Sequence, residues 1–333
     1  MFRALHTAAA FPILICLSGC NRYADFTLPQ PSRGHSAATS FDWHADASPV
    51  ISPGGWDSVD VLNPSVLLRE REYYNFYSGF DGKAWHTGLA TSSDGIHWRK
   101  QARILSPQPD TWEGSYIAAN GSALIDRGEF LYWYQAGPRG AQKIGLARSP
   151  DGSHWTKISG PVLETGPRGS WDERGVADPD VLRVGDSLYM YYLGQDRARR
   201  QRLGVARSAD GICWQKLRSN PVLELGVDGA FDENGLGEPA VWQSHGKYWM
   251  LYTGRDRKEY RRLGLARSLD GVTWERLPGS FAGAERWNEK VICDPSVLIE
   301  GDSIRVWFGG GDVASPDENL HGQIGIAKLV PKL

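Results

Sequence analysis

The sequence predicts an all-β fold, a five-bladed β-propeller of four-stranded blades, on three observations: two motifs that return on one period, and a fragment near the start that fits a gap at the end. The first motif appears as Leu62-Asn63-Pro64-Ser65-Val66-Leu67, Ala119-Asn120-Gly121-Ser122-Ala123-Leu124, Ala177-Asp178-Pro179-Asp180-Val181-Leu182, Gly237-Glu238-Pro239-Ala240-Val241-Trp242 and Cys293-Asp294-Pro295-Ser296-Val297-Leu298. Its polar positions are 57, 58, 60 and 56 residues apart. The second is a Gly-x-Ala strand at Gly88, Gly145, Gly204, Gly264 and Gly325, spaced by 57, 59, 60 and 61. Two independent markers on one period define a structural repeat.

Each repeat reads as four strands. The inner strand follows the polar position, and an aromatic strand comes next: 73–78, 130–135, 188–193, 248–253 and 304–308. The Gly-x-Ala strand is third. A tight turn then leads to an outer strand that begins at Trp98, Trp155, Trp214 or Trp274. The turns carry Asp94-Gly95, Asp151-Gly152, Asp210-Gly211 and Asp270-Gly271, residues that tolerate the positive φ of a short hairpin. Four-stranded units in series are the signature of propeller blades. No repeat offers the long 3.6-residue pattern that a helical repeat requires.

The fifth repeat ends after its third strand. Trp43 to Trp56 reads Trp-x5-Pro-Val-Ile-x4-Trp, and Pro49-Val50-Ile51 answers Pro161-Val162-Leu163 and Pro221-Val222-Leu223 of complete repeats. Trp43 to Ile51 is therefore expected to close the last blade with an N-terminal strand, removing an exposed sheet edge.

The repeat fills the chain from about Trp43 to the end, so 41–333 is one domain. A formal net charge of -2 gives no footprint for nucleic acid. Arg3 followed by an apolar stretch from Ala8 to Leu17 reads as an export signal, too short to span a bilayer. Leu17-Ser18-Gly19-Cys20 matches a bacterial lipobox, which makes residues 1–20 a lipoprotein signal peptide and Cys20 the lipidated membrane anchor. Asn21 lacks the Asp of an inner-membrane retention signal, so the expected location is the cell envelope, at the outer membrane. Residues 21–40, rich in Pro, Ser and small residues, are expected as a flexible tether to a monomeric domain. Cys213 and Cys293 are expected as buried thiols.

In superposable blades the five variable positions share one place on five inner strands and form a ring: Asn63, Asn120, Asp178, Glu238 and Asp294. Three acids at neighbouring ring positions raise one another's pKa and keep a carboxyl protonated near neutral pH. A protonated acid beside an ionised one is what cleavage of a glycosidic bond requires. The acids Asp57, Glu113, Asp172 and Asp232, each following a recurring aromatic, recur blade after blade and read as caps of the turn into the inner strand. Two basic loops open on the same face as the ring, and Arg197 or Arg255 is placed to hold sugar hydroxyls, a uronate or phosphate by forked hydrogen bonds. Trp85 is placed to stack on a sugar ring. His86 and His321 lack the spacing of metal ligands, and no cofactor is expected.

The Asp-Pro and Glu-Pro inner strands, the Tyr-x-Gly strand ends and the Gly-Leu-Ala-Arg-Ser-x-Asp-Gly-x-x-Trp hairpins together resemble the five-bladed propeller glycoside hydrolases of families 43, 32, 68 and 130. The resemblance covers nearly all of Trp43 to Lys328. It implies a carbohydrate substrate, with Glu238 in the place of the general acid and Asp178 in that of the pKa-modulating Asp of family 43. The family's base position holds Asn63, which cannot take a proton from water. The Asn-Pro opening and Phe308-Gly309-Gly310-Gly311-Asp312 look more like family 130, whose acid-bearing segment corresponds to Asn120-Gly121-Ser122 here. Asp294 is then the candidate base or nucleophile, and Asp60 is the nearest acid before Asn63. The expected function is glycoside hydrolysis with Asp178, Glu238 and Asp294 catalytic and Asn63, Asn120, Trp85, Arg197 and Arg255 binding substrate. The alternatives are a non-catalytic glycan-binding propeller, and a phosphorylase or transglycosidase.

Overall fold

The computed structural model describes residues 22–32 and 38–332. Cys20 and the export signal lie outside them. The described strands pair, in chain order, into five antiparallel units. The inner strands are Asp60–Leu62 continued by Val66–Arg69, Ile117–Asp126, Gly175–Val184, Gly235–Ser244 and Val291–Glu300. Beside them run Glu72–Phe80, Glu129–Ala136, Ser187–Gln195, Lys247–Arg255 and Ser303–Gly311. The third strands are Trp85–Ser92, Lys143–Ser149, Gln201–Ser208, Arg261–Ser268 and Gln323–Lys332. Short outer strands Arg99–Leu105, Thr156–Lys157, Gln215–Leu217 and Glu275–Arg276 complete four of the units. In the last unit Ser40–Ala45 takes the outer place, with Ser40 opposite Lys332 and Ala45 opposite Ala327, and Ile51 bridges to Ile324. A 3-10 turn, Arg286–Asn288, is the only helical element among the described residues.

The apolar core is divided among the junctions between units. Phe76 and Leu89 meet Phe130 and Tyr132 between the first and second; Leu131 and Trp133 meet Met190 and Tyr192 between the second and third. Further clusters join the third to the fourth and the fourth to the last, and Val61, Val66 and Tyr77 meet Trp307 and Ile326 to bring the last unit back to the first. Closure of the ring thus rests on packing as well as on the strand Ser40–Ala45.

The Asp-Gly hairpins supply the joints of these interfaces. Asp94 accepts the N–H groups of Ile96 and His97, each at 2.8 Å, and Gly95 sits at φ 73°. The Trp after each turn packs edge-on against an aromatic of the preceding unit: Trp155 on Phe76 at 5.3 Å, Trp214 on Trp133 at 6.1 Å, Trp274 on Tyr191 at 5.8 Å, and Trp98 on Trp307 of the last unit at 6.3 Å. The acids after the recurring aromatic are buried. They do hold loop N–H groups, as Asp57 does that of Gly54, but they also tie the second strand to the outer one. Asp57 accepts from the Tyr77 hydroxyl at 2.8 Å and pairs with Lys100 at 2.9 Å; Glu113 meets Tyr134 and Lys157, both at 2.6 Å.

Two expectations are corrected. Residues 22–32 are docked rather than tethering: Tyr23–Ala24 adds parallel to the outer strand of the third unit, Phe26 packs on Tyr189 at 6.0 Å, and Leu28 is 2% exposed in the core between the third and fourth units. Tyr23, Phe26 and Leu28 supply the apolar contacts that dock the segment, with Leu28 its buried residue. Cys293 is a buried free thiol, whereas Cys213 is only half-buried in its outer hairpin. Docking makes Leu28 part of the core, so Leu28→Ala is expected to cost about 2–4 kcal/mol in urea unfolding. A loss within about 0.5 kcal/mol, usual for surface sites, would return the segment to the status of a tether.

Candidate active site

The five ring positions share a backbone conformation that the sequence did not disclose. Asn63, Asn120 and Asp178 each have φ 47°, Glu238 has 45° and Asp294 53°. All lie in the left-handed region, which side chains other than Asn and Asp enter rarely. In four units the pairing to the second strand skips two residues there, between Ala119 and Ser122, Ala177 and Asp180, Gly237 and Ala240, and Cys293 and Ser296. In the first unit the inner strand is broken between Leu62 and Val66. This is a β-bulge repeated around the ring, and a bulge re-aims a side chain while releasing it from the ladder. Pro64, Pro179, Pro239 and Pro295 therefore stand within the bulge, not at the start of the strand. Their missing N–H is harmless because the bulge leaves that residue unpaired.

All five ring side chains line one cavity of about 140 Å³, together with Trp85 and Arg255. Arg197 is not brought there. It lies on an outer cleft, exposed, and pairs with Glu173 at 3.1 Å, because it stands at a hairpin tip while Arg255 is the last residue of its strand. Trp85 is chiefly wall, 5% exposed and stacked on Phe80 at 5.0 Å. Asp60 lies outside the cavity lining and accepts the N–H groups of Asn319, Leu320 and Gly322 at 2.6, 3.0 and 2.7 Å, which anchors the loop before the final strand. His86 pairs with Asp81 and His321 with Asp312.

Of a second register of lining residues, sequence reasoning singled out only Trp85. The position three before each Gly-x-Ala glycine holds Trp85, Gln142, Gln201, Arg261 and Gly322, and the first four line the cavity. Arg261 stands directly across the hairpin from Arg255. Its guanidinium is buried and donates to the carbonyls of Ser315 at 3.0 Å and Pro316 at 2.8 Å. Arg255 donates to Gln201 at 2.7 Å and pairs with Glu259 at 3.2 Å. The second repeat motif contained this signal, because a fixed offset from its glycine gives a fixed height on the third strand.

Hydrogen bonds link the ring from one unit to the next. Where the second strand offers a hydroxyl, it takes the N–H of the next ring residue: Ser78 accepts from Asn120 at 2.9 Å and Thr253 from Asp294 at 3.1 Å. Where that position is Leu193 or Gly309, the ring acid does so itself. Asp178 accepts the N–H of Glu238, and Asp294 accepts that of Asn63 at 3.2 Å. Gly309 is required for this, since a Cβ there would stand 2.6 Å from the Asp294 carboxylate. Cys293 also donates to Asp294, at 3.0 Å, and the Asn120 amide reaches Asp178 at 3.5 Å.

Burial and mutual repulsion govern the charges. Burial pushes the Asp178 carboxyl well above its ordinary range, and the charges of Glu238 and Asp294 push it further. Burial and the Glu238 charge bring Asp294 up to about 7, against the opposing pull of the Cys293 thiol, Arg261 and the Asn63 N–H. Glu238 Oε2 is buried in the cavity wall and has no hydrogen-bond partner among the described residues. Asp178 and Asp294 thus hold protons above the ordinary carboxylate range, and one oxygen of Glu238 remains without a partner among the described residues.

Residues 64–219 match the family model described as the glycosyl hydrolases family 32 N-terminal domain. An uncharacterized protein of Mycobacterium tuberculosis is 27% identical over 228 residues, covering 63% of this chain and 75% of that one. A 1,2-beta-oligomannan phosphorylase of a Thermoanaerobacter species is 26% identical over 225 residues, covering 64% of this chain and 66% of the relative. A solved structure of the family 130 mannoside phosphorylases, a family containing glycoside hydrolases that target beta-1,2 mannosidic linkages in Candida mannan, superposes with a TM-score of 0.68 at 19% identity over 90% of this chain and 96% of its own. The chain has the β-propeller fold seen in solved glycoside hydrolase structures. The proteins it is similar to include both a hydrolase and a phosphorylase.

A carboxyl whose pKa is raised on folding stabilises the protein at low pH and loses that contribution as pH rises. Between about pH 4, where a free Asp titrates, and pH 7, where Asp294 titrates, the folded chain binds protons that the unfolded chain has released. Stability is accordingly expected to fall across that interval, by on the order of 3 kcal/mol for Asp294. Asp294→Asn removes this share and flattens the profile in urea unfolding from pH 4 to 8. Parallel profiles for the two proteins would contradict the assignment.

Proposed function

We propose that the five units are blades around one channel, and that the protein hydrolyses a glycosidic bond of an oligo- or polysaccharide in the ring cavity. The observation that carries this reading is three carboxyls on one cavity, Asp178 and Asp294 raised above their ordinary range and Glu238 with its Oε2 unpartnered among the described residues. Glu238 delivers a proton to the departing glycosidic oxygen as the C–O bond breaks. Asp294, ionised, takes a proton from the attacking water, the role that Asn63 cannot fill. Asp178 accepts the Glu238 N–H and so holds the acid in place. Asn63, Asn120 and Arg255 line the pocket as partners for sugar hydroxyls. The relatives' names make β-1,2-linked mannosides the first substrates to try. The presence of Arg255 and Arg261 on the cavity supports a second reading, phosphorolysis, in which phosphate replaces water as the attacking group. A lipid anchor on Cys20 at the outer membrane remains our proposal for location.

The protein from Arg22 onward, given β-1,2-mannooligosaccharides and a wider glycan panel with and without phosphate, is expected to release free sugar. Glu238→Gln should lower kcat by about 100-fold or more while retaining binding. The wild-type kcat/KM should fall as pH drops below about 7, because protonation removes Asp294 as base. Turnover only with phosphate would select phosphorolysis, and glycan binding without any product would leave a binding propeller.

A further inference from the structure

We propose that the outer cleft of the third unit is a second saccharide site, separate from the ring cavity, that takes a uronic acid by its carboxylate. That a sugar carries the anion rests on the glycan-processing reading above; the anion site rests on the cleft alone. The cleft holds about 400 Å³, and its walls include Trp171, Glu173, Asp196, Arg197, Arg200 and Arg202. Pockets for small ligands span about 300–1,000 Å³. Gln201 lines the ring cavity, whereas Arg202 lines the cleft. Successive residues of a strand face opposite sides, so a single strand divides the two sites.

The arginines are already held in place. Asp196 accepts the backbone N–H of Arg200 at 3.0 Å, and its carboxylate takes the guanidinium groups of Arg200 and Arg202 at 2.7 and 3.0 Å. Glu173 accepts the Gly169 N–H at 2.7 Å and pairs with Arg197 at 3.1 Å. The Glu173 and Asp196 side chains are each 8% exposed and that of Arg202 9%, and Arg202 Nε is buried without a hydrogen-bond partner among the described residues. Arginines fixed in this way lose little further freedom when a ligand binds. Three arginines face two carboxylates in the lining; Glu224, which meets Arg202 at 3.2 Å, stands outside the lining and is largely exposed. The lining thus keeps one positive charge in excess, on a chain whose formal net charge is -2. A single carboxylate balances it, and guanidinium forks match a carboxylate's plane with paired N–H donors. Trp171, half-buried, gives the cleft a flat apolar wall for the sugar ring.

The fourth unit separates frame from ligand chemistry. Sixty residues on, it repeats Glu233, Asp256 and Arg257, and there Arg257 pairs with Glu233 at 3.4 Å. It carries Phe231 in place of Trp171 and Tyr260 in place of Arg200, and it exposes Arg262 where the third unit buries Arg202. The carboxylates that shape the loop are therefore shared, while the aromatic wall and the arginine set belong to the third unit.

The test is calorimetric titration of the protein from Arg22 onward with galacturonate, glucuronate and mannuronate, the matching neutral hexoses, and acetate. At least one uronate is expected to bind about tenfold or more tighter than both its neutral hexose and acetate, the factor that a charge-assisted pair supplies. Arg197 and Arg200 are 63% and 57% exposed, so the double variant Arg197→Ala with Arg200→Ala should keep the wild-type melting temperature while losing uronate affinity about tenfold or more. Arg255→Ala, on the ring cavity, should retain it. No uronate binding, equal binding of acetate or of the neutral hexose, or affinity lost in Arg255→Ala but kept in the double variant would each overturn the proposal. The readout is binding alone: a protein that releases no sugar fails the hydrolytic reading and leaves this result standing, and one that hydrolyses glycans yet binds no uronate fails this proposal only.

Discussion

The site depends on one backbone constraint, the left-handed residue that each inner strand carries at its bulge. An ordinary strand would alternate its side chains between the two faces of the sheet and bury a ring residue against a neighbouring unit. The bulge interrupts that alternation once per unit, at the same height, and directs five polar side chains into one cavity. Asn and Asp accept such φ values readily, which accounts for four of the five identities. Glu238 at φ 45° is the exception. Strain of this kind amounts to about 1–3 kcal/mol and persists where the surroundings over-determine it. Here the determinant is Asp178, which holds the Glu238 N–H.

That bond illustrates how scaffold and chemistry share atoms. Ser78 and Thr253 take the N–H of the following ring residue with hydroxyls, leaving the side chains of Asn63 and Glu238 in their own units free of the duty. Opposite Leu193 and Gly309 there is no hydroxyl, so Asp178 and Asp294 supply carboxylate oxygens instead. The same substitution places two acids beside Glu238 in a buried pocket, where their charges oppose one another. The raised pKa values follow from how the ring is stitched together, and no separate device is needed to produce them.

Much of this was legible in the sequence because a repeat converts spacing into position. The ring residues, the Asp-Gly hairpins and the interface Trp residues all fall at fixed offsets, and the fragment at Trp43 identified the strand that completes the last unit. What escaped was geometry without a compositional mark. Asn and Asp signal positive φ only weakly, and Glu238 does not signal it at all. Arg197 and Arg255 looked equivalent as arginines after an aromatic strand, but the strand ends before one and includes the other. Arg261 is one arginine in a basic run, and only its register opposite Arg255 sets it apart. Residues 22–32 read as a tether because apolar residues at irregular spacing have no periodicity, although Leu28 fills a space between two units.

The central claim is that Asp178 and Asp294, beside Glu238, retain protons well above the pH at which free carboxyls ionise. Carbon-13 NMR of the side-chain carboxyls, followed from pH 3 to 9 and assigned with the Asn and Gln variants, measures this directly. The account predicts an Asp294 transition near pH 7, an Asp178 transition displaced well above the ordinary Asp range, and coupling of both to the Glu238 signal. Complete ionisation of Asp178 and Asp294 below about pH 5, as for free carboxylates, would contradict it.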